Sequence, residues 1–194
     1  MRAKAPPSMK GLPSVKELEE IARKAKKYEP GGFEALFDLF FERIRRYMYF
    51  HVGDLEVADD LSSEVFAQAL KSIGNFEDRG GTIGRWLYGI ARNVLAEHLR
   101  NAERLPTVSL EGEPSPIPEG NPEDETLRLM TYEDLYRAVR GLPPEQREII
   151  ILRFIEGYPV KESAAIMDRS PGAVRALQHR AVVSLRKALK RETR

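Results

Sequence analysis

Cysteine is absent from the 194-residue chain. That excludes a disulfide framework and any thiolate ligand or nucleophile, and it fits a reducing compartment. The three histidines, His51, His98 and His179, lie far apart and show no metal-ligand spacing. No apolar run approaches the roughly 20 residues needed to cross a bilayer. The N-terminus lacks the apolar segment of a signal peptide. The expectation is a cytoplasmic protein with no membrane insertion. Glycines occur in "RGGTIG" (79–84), but no strand precedes them, so they make no phosphate cradle. Asp59, Asp60 and Glu64 form an acidic cluster that reads as a solvated face or a surface for a basic partner, not a metal site. No catalytic constellation, cofactor or metal is expected, and the chain does not read as an enzyme.

Charge is nearly balanced overall, at +1, but not along the chain. Residues 1–104 are close to neutral at +1. Residues 105–130 hold 1 basic and 6 acidic side chains, net −5. Residues 131–194 hold 13 basic and 8 acidic ones, net +5, and within them 169–194 hold 8 and 1. An acidic connector and a basic C-terminal helix are opposite electrostatic devices.

The periodicities predict an all-α protein of two helical domains joined by an extended acidic linker. Residues 1–13, with three prolines, read as a flexible tail. "SVKE" (14–17) is a capping box and opens a short helix to about Tyr28. "EPGG" breaks it. Phe33, Leu36, Phe37, Phe40, Ile44 and Tyr47 share one face of the next helix, which "HVGD" (51–54) ends. Asp54 caps a third helix with Ala58, Leu61, Val65 and Ala69 on one side. "GNFEDRGG" (74–81) is a loop. A long helix runs from about Thr82 to Arg104, with Ile83, Trp86, Leu87, Ile90, Val94 and Leu95 as its stripe. Residues 105–125 carry five prolines, two glycines and six acids and read as a linker. "TYED" (131–134) resembles a second capping box, and "LPPEQ" (142–146) puts proline at a helix start. "REIIILRF" (147–154) is apolar enough for a central buried helix, and "EGYP" (156–159) breaks it.

A short helix over about 160–167, the turn "DRS" and a helix opening on Ser170-Pro171 make a helix-turn-helix pattern. Ser170 suits the N-cap and Pro171 the first helical position. Val174, Leu177, Ala181, Leu185 and Ala188 form the buried stripe, leaving Arg175, Gln178, His179 and Arg180 near the exposed side. The first turns of such a helix reach base edges in the major groove, where arginine pairs with guanine and glutamine with adenine. Excess Arg and Lys suits phosphate neutralisation. A three-helix packing domain with a solvated basic face is the plain alternative.

Two regions together resemble the extracytoplasmic-function sigma factors, the two-domain bacterial transcription initiation factors. One is "FEALFDLFFERIRRYMYFHVGDLEVADDLSSEVFAQALKSIGNFEDRGGTIGRWLYGIARNVLAEHLR"; the other is "LPPEQREIIILRFIEGYPVKESAAIMDRSPGAVRALQHRAVVSLRKAL". The chain departs from the family pattern at Asp168, where glycine is usual, at Ser163, where an apolar residue is usual, and at Ala173, where threonine is common. Asp tolerates a left-handed turn.

The resemblance implies that 14–104 is a sigma domain two that captures and melts the promoter −10 element as a single strand. Its −10 contacts would be Ser72, Asn75, Phe76, Arg85, Trp86, Arg92, Asn93 and Arg100. Phe76 would stack on or wall a flipped base, and the arginines would hold phosphates. For Trp86 and Phe76, plain packing onto the domain stays open. Asp59, Asp60, Glu64, Val65 and Phe66 would meet the polymerase clamp coiled coil, with Val65 and Phe66 divided between partner and core. Residues 105–130 would thread towards the polymerase cleft as a nucleic-acid mimic. Residues 131–194 would be a sigma domain four reading the −35 duplex through Arg169, Ser170, Pro171, Ala173, Arg175, Gln178 and His179. The implied partners are core RNA polymerase (clamp and flap), duplex and single-stranded promoter DNA, and an anti-sigma factor. A helix-turn-helix regulator acting without polymerase is the rival reading.

Overall fold

The computed structural model describes residues 13–77, 83–104 and 135–192. Its helices fall into two compact units. The expected tail (1–13, save its last residue), the linker (105–130) and the "TYED" capping box lie outside the described residues, as do residues 78–82 of the glycine-rich loop. Among the described residues every regular element is helical.

The first unit opens on α1 (Val15–Lys26), and its capping box is formed. The Ser14 amide donates to Glu17 Oε2 at 2.8 Å, and the Glu17 amide donates to Ser14 Oγ at 3.4 Å. Helix α2 (Gly32–Val52) follows after a tight connection. A Cβ on Gly32 would stand 2.5 Å from the backbone carbon of Lys24 and 2.6 Å from the amide nitrogen of Ala25. Only glycine lets α2 start this close to α1. Helix α2 ends at Gly53, which is left-handed at φ 84°. Asp54 then caps α3 (Leu55–Ser72), accepting from the Val57 amide at 3.0 Å. A 3₁₀ turn, Ile73–Asn75, leads towards α4 (Ile83–Arg104).

Leu36, Phe40, Ile44 and Tyr47 are wholly buried, as the α2 stripe predicts. Phe37 is not in that core: it is 38% exposed and stacks on Phe41 at 4.6 Å, against Phe66 at 4.9 Å. From α4 the core receives Ile83, Leu87, Val94 and Leu95, together with Tyr88 and Ala91, which the stripe did not include. Trp86 and Ile90 stay half-exposed at its edge.

The second unit begins with α5, described over 135–140. Pro143-Pro144 starts α6 (Pro144–Ile150), with proline in the first helical turn as expected. The apolar run does not continue as a regular α-helix. From Ile151 to Ile155 it winds as a π-helix, and the Glu156 amide donates to the Ile151 carbonyl at 2.8 Å. Ile149, Ile150, Ile151 and Leu152 are buried, while Phe154 is 46% exposed. Gly157, at φ 76°, makes the break that leads to α7 (Val160–Ile166). Helix α8 (Pro171–Glu192) closes the unit. Val174, Leu177 and Ala181 are its buried anchors, and Leu185 and Ala188 are half-buried.

Candidate nucleic-acid interface

The turn between α7 and α8 is built from side chains that suit it. Asp168 is left-handed at φ 52°, a conformation that a short polar side chain tolerates better than most. The Arg169 amide closes the end of α7 by donating to the Ala164 carbonyl at 2.9 Å. Ser163 occupies an apolar-type position yet is fully buried. Its hydroxyl donates to the Tyr158 carbonyl at 3.4 Å, so no polar group is stranded. Ser170 caps α8, its Oγ accepting from the Ala173 amide at 3.2 Å.

This capping sets the phase of α8. Arg175, His179 and Arg180 are exposed on one side; Ala173 is half-buried, and Ser170 and Pro171 are exposed at the start. Ala176 is exposed between Arg175 and His179, a position that helical spacing alone would have put on this face. Arg169 pairs with Glu145 at the start of α6. Gln178, also expected on this edge, is engaged by the domain in the free protein. It is half-buried, and Arg153 Nε donates to its Oε1 at 3.0 Å. Arg153 also donates through Nη1 to the Tyr158 carbonyl. The bidentate pairing of glutamine with adenine needs both the amide oxygen and the NH₂. Here the oxygen is directed at the domain itself.

In the first unit, the outward face of α4 gathers several expected −10 residues. Trp86, Asn93 and Arg100 follow each other at seven-residue spacing, with Gly89 and Ala96 between them and Arg85 and Arg92 alongside. Asn93 and Arg100 are exposed; Arg85, Trp86 and Arg92 are half-buried. Phe76 is buried, 6% exposed, and meets Trp86 edge-to-face at 5.5 Å between ring centres. It forms the wall under Trp86 rather than a free stacking face, because a ring leaving a glycine-rich loop gains more from packing than from water. Asn75 beside it is exposed. Ser72 sits in the last turn of α3, and its hydroxyl donates to the Gln68 carbonyl at 2.7 Å.

The acidic face of α3 divides. Asp60 is exposed. Glu64 is exposed and accepts from Gln68 Nε2 at 2.8 Å. Asp59 pairs with Arg45 Nε and so ties α3 to α2. That carboxylate beside Arg45 raises the arginine's pKa above its ordinary value. Val65 and Phe66 are 0% and 4% exposed. Phe33, Phe37 and Phe41 of α2 surround the Phe66 ring.

A compact helical unit with a partly exposed aromatic and basic helix face, and a second unit ending in a capped helix-turn-helix, fit the class of nucleic-acid-binding proteins. Residues 36–105 match the family described as Sigma-70 region 2, and residues 132–185 match Sigma-70, region 4. The chain is 38% identical over 178 residues to the ECF RNA polymerase sigma factor BldN of Streptomyces coelicolor, covering 91% of this chain and 67% of that protein. Two solved structures are similar in fold. One is CnrH in complex with the cytosolic domain of CnrY, 21% identical, TM-score 0.67, covering 89% of this chain and 97% of that one. The other is the sigma factor RpoE in complex with the anti-sigma factor NepR from Bartonella quintana, 22% identical, TM-score 0.63, covering 82% and 98%. The chain belongs to the sigma-70 family, among its extracytoplasmic-function members. It is a specificity subunit that recognises promoters for RNA polymerase, not an enzyme.

Proposed function

We propose that residues 14–104 capture the −10 element as an unstacked strand, while residues 131–194 anchor the −35 duplex. The observation that carries this reading is the outward face of α4, where Asn93 and Arg100 stand exposed beyond a Trp86 ring backed by Phe76. An unstacked base wants an aromatic wall and a few edge hydrogen bonds, and its phosphates want arginine. Trp86 supplies the wall, Asn93 the edge donor and acceptor, and Arg85, Arg92 and Arg100 the positive charge. On α8, Arg175 and His179 read base edges, and Arg169, Ser170 and Pro171 lie at the phosphate-facing start.

Asp60 and Glu64, with the Arg45-bound Asp59, face the basic polymerase clamp, and the second unit meets the flap. The acidic, proline-rich residues 105–130 connect the two DNA contacts and occupy basic nucleic-acid channels until RNA displaces them. Residues 1–13 are a tail. The protein works in the cytoplasm and is held in check by an anti-sigma factor; the fold shared with RpoE in its NepR complex supports such a partner.

Transcription from promoters selected by the reconstituted holoenzyme tests the reading. The full chain added to core polymerase yields promoter-dependent transcripts, and Asn93→Ala or Trp86→Ala lowers open-complex formation. Unchanged opening in both variants would remove the pocket from α4.

A further inference from the structure

The connection between α1 and α2 contains a residue that the fold alone would not choose. Tyr28 is left-handed, at φ 54°. It follows the last turn of α1, where the Tyr28 amide donates to the Ala25 carbonyl and the Glu29 amide to the Lys24 carbonyl, both at 3.0 Å. Glycine is the usual residue at this kind of helix end, and a bulky side chain there is strained. The neighbouring contacts hold it in place. Arg23 bridges Glu20 and Glu29, with Nη1 2.7 Å from Glu29 Oε1 and Nη2 2.8 Å from Glu20 Oε1. A strained residue that its surroundings hold in place points to a use.

The tyrosine ring is also conspicuously placed. Tyr28 is 61% exposed. Its outer end lies on Gly74, in the 3₁₀ turn that leads to Phe76: a Cβ on Gly74 would stand 3.1 Å from Tyr28 Oη and 3.4 Å from Cε2. Gly74 therefore makes room for the ring beside exposed Asn75. Glu29 next to it is matched by Arg23, and Lys26 and Lys27 just before it are exposed. Basic groups interleaved with an open aromatic ring are what a single nucleic-acid strand binds.

We propose that Tyr28 is a stacking platform for a nucleobase of the melted strand, next to the one held at Trp86 and Asn93. Stacking accepts any base, so this contact adds affinity without sequence preference. The inference rests on the proposed −10 reading.

The test uses holoenzyme assembled from the full chain and a promoter duplex with an unpaired −10 region. Tyr28→Gly relieves the backbone strain, so the free protein unfolds at a higher temperature. The same substitution weakens binding to the unpaired promoter by about tenfold, the scale of one base–aromatic stack. Tyr28→Phe and Tyr28→Trp hold binding within about twofold, since stacking needs the ring and not the hydroxyl. Wild-type binding by Tyr28→Gly, with Asn93→Ala impaired, would overturn the Tyr28 proposal and leave the −10 reading standing. Wild-type binding by both variants would overturn the two together. A lower unfolding temperature for Tyr28→Gly would remove the strain argument.

Discussion

Arg153, in the π-helical turn, donates through Nε to Gln178 Oε1 at 3.0 Å, joining the centre of the second unit to its last helix, α8. The bond fixes which way the Gln178 amide points. Gln178 thereby helps set the seating of α8, beside the exposed Arg175 and His179. Gln178→Glu should keep the −35 base preference and strengthen the link to Arg153, since a carboxylate accepts from guanidinium more strongly than an amide does. Arg153→Ala should destabilise the second unit by about 1–3 kcal/mol, through loss of its bonds to Gln178 and to the Tyr158 carbonyl. Urea denaturation measures the stability. Selection of −35 sequences with Gln178→Glu measures the preference, and a changed base at one position would return Gln178 to readout.

Arg175 is exposed on the first turns of α8, one turn before Gln178 on the neighbouring part of the same face. Arg175→Ala should cost about 1–3 kcal/mol of discrimination at one −35 base pair if the guanidinium forks onto guanine. Competition between duplexes that differ at single positions gives this directly. An equal loss for every duplex would make Arg175 a phosphate contact instead.

The helix ends were legible because their signals are local. Ser14 with Glu17, Gly53 with Asp54, Pro144 and Ser170-Pro171 each act within a turn of themselves, and each is found where the pattern puts it. Phe37 was misplaced because Phe33, Phe37 and Phe40, spaced four and three apart on α2, satisfy a helical stripe whether they face the core or its edge. The π turn escaped notice because an i→i+5 bond in "ILRFI" carries no side-chain signature. The bond made by Gln178 was not legible because its partner, Arg153, lies 25 residues earlier. Tyr28 was hidden by the rule that glycine holds left-handed helix ends. Asp168 breaks the same rule, but with a side chain known to tolerate it.

Gly32 and Gly89 should respond oppositely to alanine. At Gly32 the added methyl meets the α1 backbone at 2.5 Å, and backbone cannot step aside cheaply. Gly32→Ala should destabilise the first unit by roughly 1–3 kcal/mol. At Gly89, on the outward face between Trp86 and Asn93, nothing lies within 4 Å of the added atom. Gly89→Ala should stabilise the helix by about 0.5–1 kcal/mol. Denaturant midpoints separate the two, and a drop in stability for Gly89→Ala would contradict the open surroundings.

Low pH should loosen α1 before the buried parts of the first unit. The Arg23 guanidinium beside Glu20 holds that carboxyl down to about 2, from an ordinary value of 4.5, and bonds from Ser14 lower Glu17. Both folded-state values are depressed, so their stabilisation is fully present above about 4.5. For Glu20 it is lost as the pH falls towards about 2. Both carboxylates are exposed, so the effect is small and weakens in salt. Hydrogen exchange at the amides of α1 and of Tyr28 and Glu29 should speed up between pH 5 and pH 2.5 beyond the intrinsic pH dependence. Glu20→Gln should show faster exchange already at pH 5 and a smaller further change on acidification. Identical profiles for wild type and Glu20→Gln would show that the Arg23 bridge does not hold the end of α1.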